Sequence, residues 1–322
     1  MTLTPVFGTN PGALRMWSYA PQGLPDGAPL VVALHGCGQA AEGFAAGLGW
    51  LTLADALGFA VLAPEQTRSN NPARCFNWFE PGDVARGRGE VASIRAQVER
   101  MFALHRLDRS RVFVTGLSAG GCMALAMMAL YPEVFAAGAV IAAAPFGAAA
   151  NVGEAMLAMA RPTTASGKAL AERVRVATGH AGPWPRLAVW HGAADHTVAP
   201  ANADAVVAQW LELHGLAPTP TRALSQGILK RRFWEDLPGR PVVELDLVEG
   251  LAHGAALATA GPEGLGRTAP FLLEAGVSST RLIAEFFRLE RPDAAEAVAQ
   301  AAAPAARGLR RLWSRLSARL RG

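Results

Sequence analysis

RVFVTGLSAGGCMALAMMAL, residues 111–130, changes character in its middle. Arg111–Thr115 is a short apolar run of the kind a buried strand needs, and Ser118–Leu130 is apolar at helical length, ending before Pro132. Between them lies Gly116-Leu117-Ser118-Ala119-Gly120, a G-x-S-x-G turn. A strand that passes this abruptly into a helix leaves no room for side chains beside the serine, hence the glycines. The serine then projects from the turn, and the helix N-terminus aims its dipole and free amides at negative charge developing there. In isolation the same five residues also suit an ordinary turn with Ser118 as a helix cap. The strand–turn–helix setting, with Gly121 directly after, favours the projecting serine.

On the N-terminal side, LVVAL (30–34) is a continuous apolar run, as expected of a strand buried on both faces of a parallel sheet, and it ends in His35-Gly36-Cys37-Gly38. A helix is expected around Leu48–Leu57, then a second buried strand over Phe59–Ala63, stopped by Pro64. Residues 13–20 read as an early strand pair or hairpin piece ending at Pro21, and residues 65–89 as a long polar, glycine-rich connection. Glu90–Arg106 has helical spacing, with Val91, Ile94, Val98, Met101, Phe102 and His105 on one face. Downstream, strands are expected at Ala139–Ala143, Leu187–Trp190 and Val242–Val248, and helices at Ala201–His214 and Ser279–Leu289. Residues 146–183 read as a helical insert. Strands alternating with helices imply crossover connections, hence an α/β fold with a mostly parallel central sheet and helices on both faces. The expected division is a catalytic domain over residues 1–290, then an Ala-rich linker and a basic amphipathic helix over residues 291–322.

With 322 residues, 51% of them hydrophobic, the chain can bury one large core without disulfide support. No run reaches the roughly 20 apolar residues of a membrane span. The start, MTLTPVFGTNPGALRMW, has neither a basic n-region nor an apolar h-region, so no secretory signal is expected within this chain. The formal net charge of +4 is local in origin: six arginines follow Glu296 with no acid among them, and without those six the rest of the chain stands at −2. A nucleic-acid partner is therefore not expected. The three cysteines, Cys37, Cys75 and Cys122, show no metal-site spacing, and neither metal nor cofactor is expected.

A projecting serine needs a base and an orienting acid. In α/β hydrolases these follow it in the order acid, then histidine, each on a loop after a strand. Asp195, in HGAADHTV (191–198), directly follows the strand LAVW and fits the acid; a solvated turn aspartate is the alternative. His35 and His105 precede the serine, and His180 precedes the acid. His196 is too near Asp195 in the chain to face both partners, and His214 sits within a helix. His253, in EGLAHG (249–254) directly after PVVELDLV, remains as the base. Acyl transfer also needs amides aimed at the tetrahedral oxygen, and Ala119 and Cys37 are the candidate donors.

With these residues placed, the chain resembles the polyhydroxybutyrate depolymerase-type esterases, which are akin to feruloyl and acetylxylan esterases. The resemblance rests on LHGCGQ (34–39), LAPEQ (62–66), RCFNWF (74–79), GRGEVASI (87–94), VTGLSAGGCMA (114–124), WHGAADHTV (190–198), EGLAHGAAL (249–257) and APFLLEAGVSSTRLIAEFF (269–287). It implies an α/β-hydrolase fold, a Ser118–Asp195–His253 triad, and action on short-chain hydroxyalkanoate polyesters, their oligomers or related esters. It also implies a frequently exported protein. RCFNWF corresponds to the family's substrate-side loop, so Trp78 is either a cleft-lining or a core aromatic. Cys37 and Cys75 both occupy motif positions, which implies a disulfide between them under oxidising conditions; Cys122 is read as a packing residue.

Three functional readings follow. The first is a serine ester hydrolase for polyester or oligoester substrates. The second is a feruloyl or acetylxylan-type esterase with the same catalytic residues, and the third a non-catalytic binding protein on the same fold. Near the C-terminus, Leu309, Leu312, Trp313, Leu316 and Leu320 share a helical face with arginines opposite. That pattern suits an anionic membrane or the coat of a polyester granule, or else a weakly docked basic tail.

Overall fold

In a computed structural model, which describes residues 1–289 except Pro162 and Pro238, strands alternate with single helices or helix pairs from the third strand to the seventh helix, and five strands and a last helix follow. The first half runs β1 (Thr2–Thr4), β2 (Arg15–Tyr19), β3 (Ala28–Leu34), α1 (Ala41–Gly47), α2 (Trp50–Leu57), β4 (Ala60–Glu65), α3 (Gly89–Leu104), β5 (Leu107–Leu117) and α4 (Ala119–Leu130). Then come β6 (Ala137–Ile141), α5 (Val152–Ala160), α6 (Gly167–Thr178), β7 (Arg186–Gly192) and α7 (Ala201–His214). The chain continues with β8 (Arg222–Gln226), β9 (Leu229–Leu237), β10 (Arg240–Val248), β11 (Ala255–Leu257), β12 (Leu272–Glu274) and α8 (Ser279–Phe287).

Ten strands form one sheet in the order β1-β2-β4-β3-β5-β6-β7-β10-β9-β8. The six from β4 to β10 pair in parallel. An antiparallel pair closes each edge. Every residue of β3 is buried. Its alternate side chains serve two cores: Leu30, Val32 and Leu34 pack on the side of α3, α4, α6 and α7, whereas Val31 and Ala33 pack on the side of α1, α2 and α8. All twelve residues of α4 are buried, as a helix apolar all round requires. This is the α/β-hydrolase arrangement.

The connections set where ligands can bind. The chain leaves β3 to build β4 on one side and returns to place β5 on the other, so β3 and β5 flank a point where strand order reverses. In open α/β sheets the crevice beyond the strand C-termini at such a point is where ligands sit. The turns after β3 and β5 both open there.

Several expectations need correction. Pro64 does not stop β4, which runs on to Glu65. Pairing with β3 ends at Leu62, so a missing N–H at residue 64 has no ladder partner to lose on that side. The segment before β4 holds two helices rather than one, separated by Gly49 at φ +84°. The β8–β9 hairpin was not expected at all. Strand β8 is wholly exposed, and β9 hides its apolar pattern behind Lys230, Arg231 and Arg232, which pair with Glu249, with Glu244 and Asp246, and with Asp204. The helical insert expected over residues 146–183 contains α5 and α6. The linker and basic helix expected over residues 291–322 lie outside the described residues. Among the described residues, no helix is long and apolar enough to cross a membrane.

Candidate active site

Ser118 sits between β5 and α4 at φ +56°, ψ −120°, a conformation costly for a residue with a side chain. Its neighbours explain how the turn closes. A Cβ on Gly116 would stand 2.2 Å from the Gly120 carbonyl oxygen, and one on Gly120 would stand 2.2 Å from that of Leu34. Both obstacles are backbone, so neither position accepts a larger residue without opening the turn. The Ser118 amide donates to Ile141 O (2.8 Å), tying the turn to β6.

The loops after β7 and β10 bring two further groups to this point. His253 Nε2 lies 3.0 Å from Ser118 Oγ, and His253 Nδ1 lies 2.7 Å from Asp195 Oδ2. Because a carboxylate only accepts, Nδ1 carries the ring proton and the Nε2 lone pair faces the serine hydroxyl. The approach of the two loops again depends on a glycine: a Cβ on Gly192 would lie 2.2 Å from Leu251 O.

Asp195 is 3% exposed. Burial pushes its carboxyl up, but hydrogen bonds from His191, His253 and the Val198 amide outweigh that and hold it well below the usual carboxylate range. Its Oδ1 accepts from the amides of Thr197 (2.8 Å) and Val198 (2.9 Å). His191, fully buried, places Nε2 2.9 Å from Val198 O and 3.4 Å from Asp195 Oδ2. Sequence reasoning gave His191 no role; its place near the end of β7, four residues before the acid on the following loop, is the signal available for it.

The turn after β3 is anchored on all sides. Gly36 N donates to Gln39 Oε1 (2.8 Å), and Gly38 N donates to Ala73 O (2.8 Å). Between them, the Cys37 amide has no protein acceptor among the described residues, and neither has that of Ala119. Two free N–H groups at the mouth of a serine turn suit an oxyanion. Cys37 and Cys75 form a disulfide that binds this turn to the aromatic loop, with Cα atoms 4.2 Å apart. Beneath it runs a buried polar chain. Gln66 N donates to His35 Nε2 (3.0 Å), which leaves His35 Nδ1 to donate to Gly36 O (2.8 Å). Gln66 Nε2 reaches Glu90 Oε1 (2.5 Å), and Asn77 N donates to Glu90 Oε2 (2.8 Å). Burial, aided by the Asp83 carboxylate, pushes Glu90 up to about 8.

Trp78 is packed in the larger core cluster, edge-on to Phe79, with 8% of its surface exposed. The ring exposed at the site is Phe271, 42% accessible and edge-on to His253 at 5.8 Å. Nothing in the sequence distinguishes it from a core phenylalanine. Cys122 is buried, with its thiol pushed up to about 12 by desolvation, which leaves it inert at neutral pH.

A family model described as "Esterase PHB depolymerase" matches residues 16–227, a stretch that holds Ser118 and Asp195 and ends before His253. The chain is 41% identical over 283 residues to poly(3-hydroxyalkanoate) depolymerase C of Paucimonas lemoignei, covering 87% of this chain and 68% of that protein. It is 33% identical over 221 residues to feruloyl esterase B of Talaromyces stipitatus, covering 66% and 61% of the two chains. To the acetylxylan esterase of Coprinopsis cinerea it is 32% identical over 254 residues, covering 77% and 67%. The matches thus span about three fifths to two thirds of these relatives. Among solved structures, the acetyl xylan esterase from Aspergillus awamori superposes with a TM-score of 0.76 at 24% identity, over 89% of this chain and 98% of that one, a likeness of fold.

Proposed function

Because this chain belongs to the PHB depolymerase family of esterases, we propose that it hydrolyses carboxylic esters through an acyl-enzyme on Ser118, with hydroxyalkanoate polyesters or their oligomers as substrates. The observation that carries this is the series of contacts from Ser118 Oγ to His253 Nε2 (3.0 Å) and from His253 Nδ1 to Asp195 Oδ2 (2.7 Å). His253 takes the Ser118 proton as Oγ attacks the ester carbonyl. The ionised Asp195 fixes the tautomer and stabilises the imidazolium. The tetrahedral oxygen is received by the amides of Cys37 and Ala119, each worth about 10²–10³ in turnover in comparable hydrolases. The imidazolium then protonates the departing alcohol, and water releases the acid by the same steps in reverse roles.

The higher identity to the polyhydroxyalkanoate depolymerase than to the feruloyl and acetylxylan esterases favours the polyester reading of the substrate. A panel of hydroxybutyrate oligomers, feruloylated sugars and acetylated xylan tests it. Highest kcat/KM on the oligomers is expected; highest turnover on feruloyl or acetyl sugars transfers the assignment to the second reading. A non-catalytic role predicts turnover of none. The arginine-rich segment 297–322, outside the described residues, is proposed to contact an anionic surface. Removing it then abolishes co-sedimentation with anionic vesicles or granules, and unchanged sedimentation refutes that role.

A further inference from the structure

The chain between β11 and β12 builds one wall of a cavity of about 280 Å³ at the edge of the site, with Cys37, Gln39, Phe44, Arg267, Phe271 and Leu272 among its lining. Two of these residues join the cavity to the chemistry. Cys37 carries one of the two free amides, and Phe271 stands edge-on to His253. An ester whose carbonyl oxygen meets the Cys37 amide therefore has one of its two substituents at the mouth of this cavity.

The wall is held firmly. Arg267 N donates to Gly47 O at the end of α1 (2.7 Å), and Gln39 Nε2 donates to Pro270 O (3.0 Å), bridging the oxyanion turn to the loop. A Cβ on Gly47 would stand 2.5 Å from Leu272 Cδ1, so loop and helix are in close contact. Phe271 is held at φ +66° while exposing its ring. A bulky residue in the left-handed region is a real strain, and such strain gathers at ligand-contacting positions. Arg267 is exposed, and its guanidinium has no carboxylate or carbonyl partner among the described residues. Most lining side chains are apolar, and Arg267 is the one charged residue among them.

We infer that this cavity is a leaving-group subsite for a short hydroxy acid, whose free carboxylate is bound by Arg267. The inference rests on the ester-hydrolase reading and specifies its substrate. The direction follows from chemistry. In a linear hydroxy-acid oligomer, the free carboxylate always lies on the alcohol side of any ester bond. A cavity that reads a carboxylate thus receives the alcohol part. When Ser118 Oγ bonds to the acyl carbon, the bond from that carbon to the alcohol oxygen breaks. The proton from His253 goes to that oxygen, and the hydroxy acid leaves with its carboxylate at Arg267. The planar guanidinium fork matches a carboxylate, and Phe44, Phe271 and Leu272 match the alkyl stretch between. The volume lies at the small end of ligand sites, which suits a short terminal piece rather than a long chain.

The test compares the 3-hydroxybutyrate trimer as free acid with its methyl ester, as a ratio of kcat/KM. In the wild type the ratio is expected to favour the acid about five- to tenfold, the scale of a partly exposed charge-assisted pair, and to fall with added salt. Arg267→Gln should bring the ratio to one, and Arg267→Lys should retain part of it. A wild-type ratio of one, or an unchanged ratio in Arg267→Gln, overturns the subsite. Turnover of p-nitrophenyl butyrate by the wild type separates the two levels. If that ester is hydrolysed and the ratio is one, only the subsite fails; if it is not, the ester-hydrolase reading fails and the subsite with it.

Discussion

Asp195 receives more donors than orienting one imidazole requires. Two amides hold Oδ1, and Oδ2 faces both His253 and His191. A carboxylate so surrounded stays ionised in a buried place and points one way. Two losses of different size follow. Asp195→Asn presents an NH2 or a poorer acceptor to Nδ1 and disturbs the tautomer, so kcat on a soluble p-nitrophenyl ester should fall about 10⁴-fold. His191→Phe leaves the triad in place but removes the donor that ties Val198 O and Asp195 together. Its kcat should fall on the order of tenfold with KM little changed, the scale of one charge-assisted hydrogen bond. The three side chains that meet here, Ser118, His253 and Asp195, could be picked out because chain order and strand-end loops constrain them. His191 was not legible, because a histidine before the acid fits no slot in that order, and its role depends on which way the strand turns its side chain.

Among the elements, the serine turn and the turn after β3 are one construction. A Cβ on Gly120 would stand 2.2 Å from Leu34 O and 2.5 Å from His35 O, the last residues before the turn that carries the Cys37 amide. Gly120→Ala should therefore move both turns at once. Esterase activity is expected to drop at least about 10³-fold, and stability by several kcal/mol, as when strain is forced on a packed backbone. A fall in the urea midpoint read beside kcat would show both; wild-type behaviour in both would refute the packing argument. The strand–turn–helix around Ser118 could be read from sequence because its period changes within a few residues. The polar connection over residues 65–89 was legible as a connection, but its internal conformation was not. Gln66, Asn70, Asn71 and Asn77 hold it through bonds to backbone and to one another, and such bonds leave no periodic trace. The same holds for the β8–β9 hairpin, where ion pairs rather than apolar alternation occupy the visible side chains.

For the whole molecule, the polar chain from His35 through Gln66 to Glu90 makes stability depend on pH. Glu90 is fully buried and its carboxyl is raised to about 8, from an ordinary value of 4.5. The native state thus holds a proton that the unfolded state has lost over that interval, and stability falls as pH rises from about 4.5 to about 8. The slope is about 1.4 kcal/mol per pH unit where only this group differs. Glu90→Gln should remove that component, so its thermal midpoint at pH 8 should rise relative to the wild type while the gap narrows toward pH 5. No change in the pH profile would show that the group is not protonated in the native protein. Parallel order, two-sided burial and helices on both faces were all visible as apolar runs of strand length. Of the antiparallel edges, β2 falls within the strand piece expected over residues 13–20, whereas the β8–β9 edge was not legible, since an exposed strand needs no such run.

Catalysis as proposed depends on one hydroxyl made nucleophilic by one imidazole. Fluorophosphonate labelling followed by peptide mass spectrometry tests it directly. A single adduct is expected on the peptide containing Ser118, absent in Ser118→Ala and formed at least about 10³-fold more slowly in His253→Ala, with ester hydrolysis falling in parallel. An adduct on another residue, or a Ser118→Ala protein that hydrolyses esters at the wild-type rate, would contradict it.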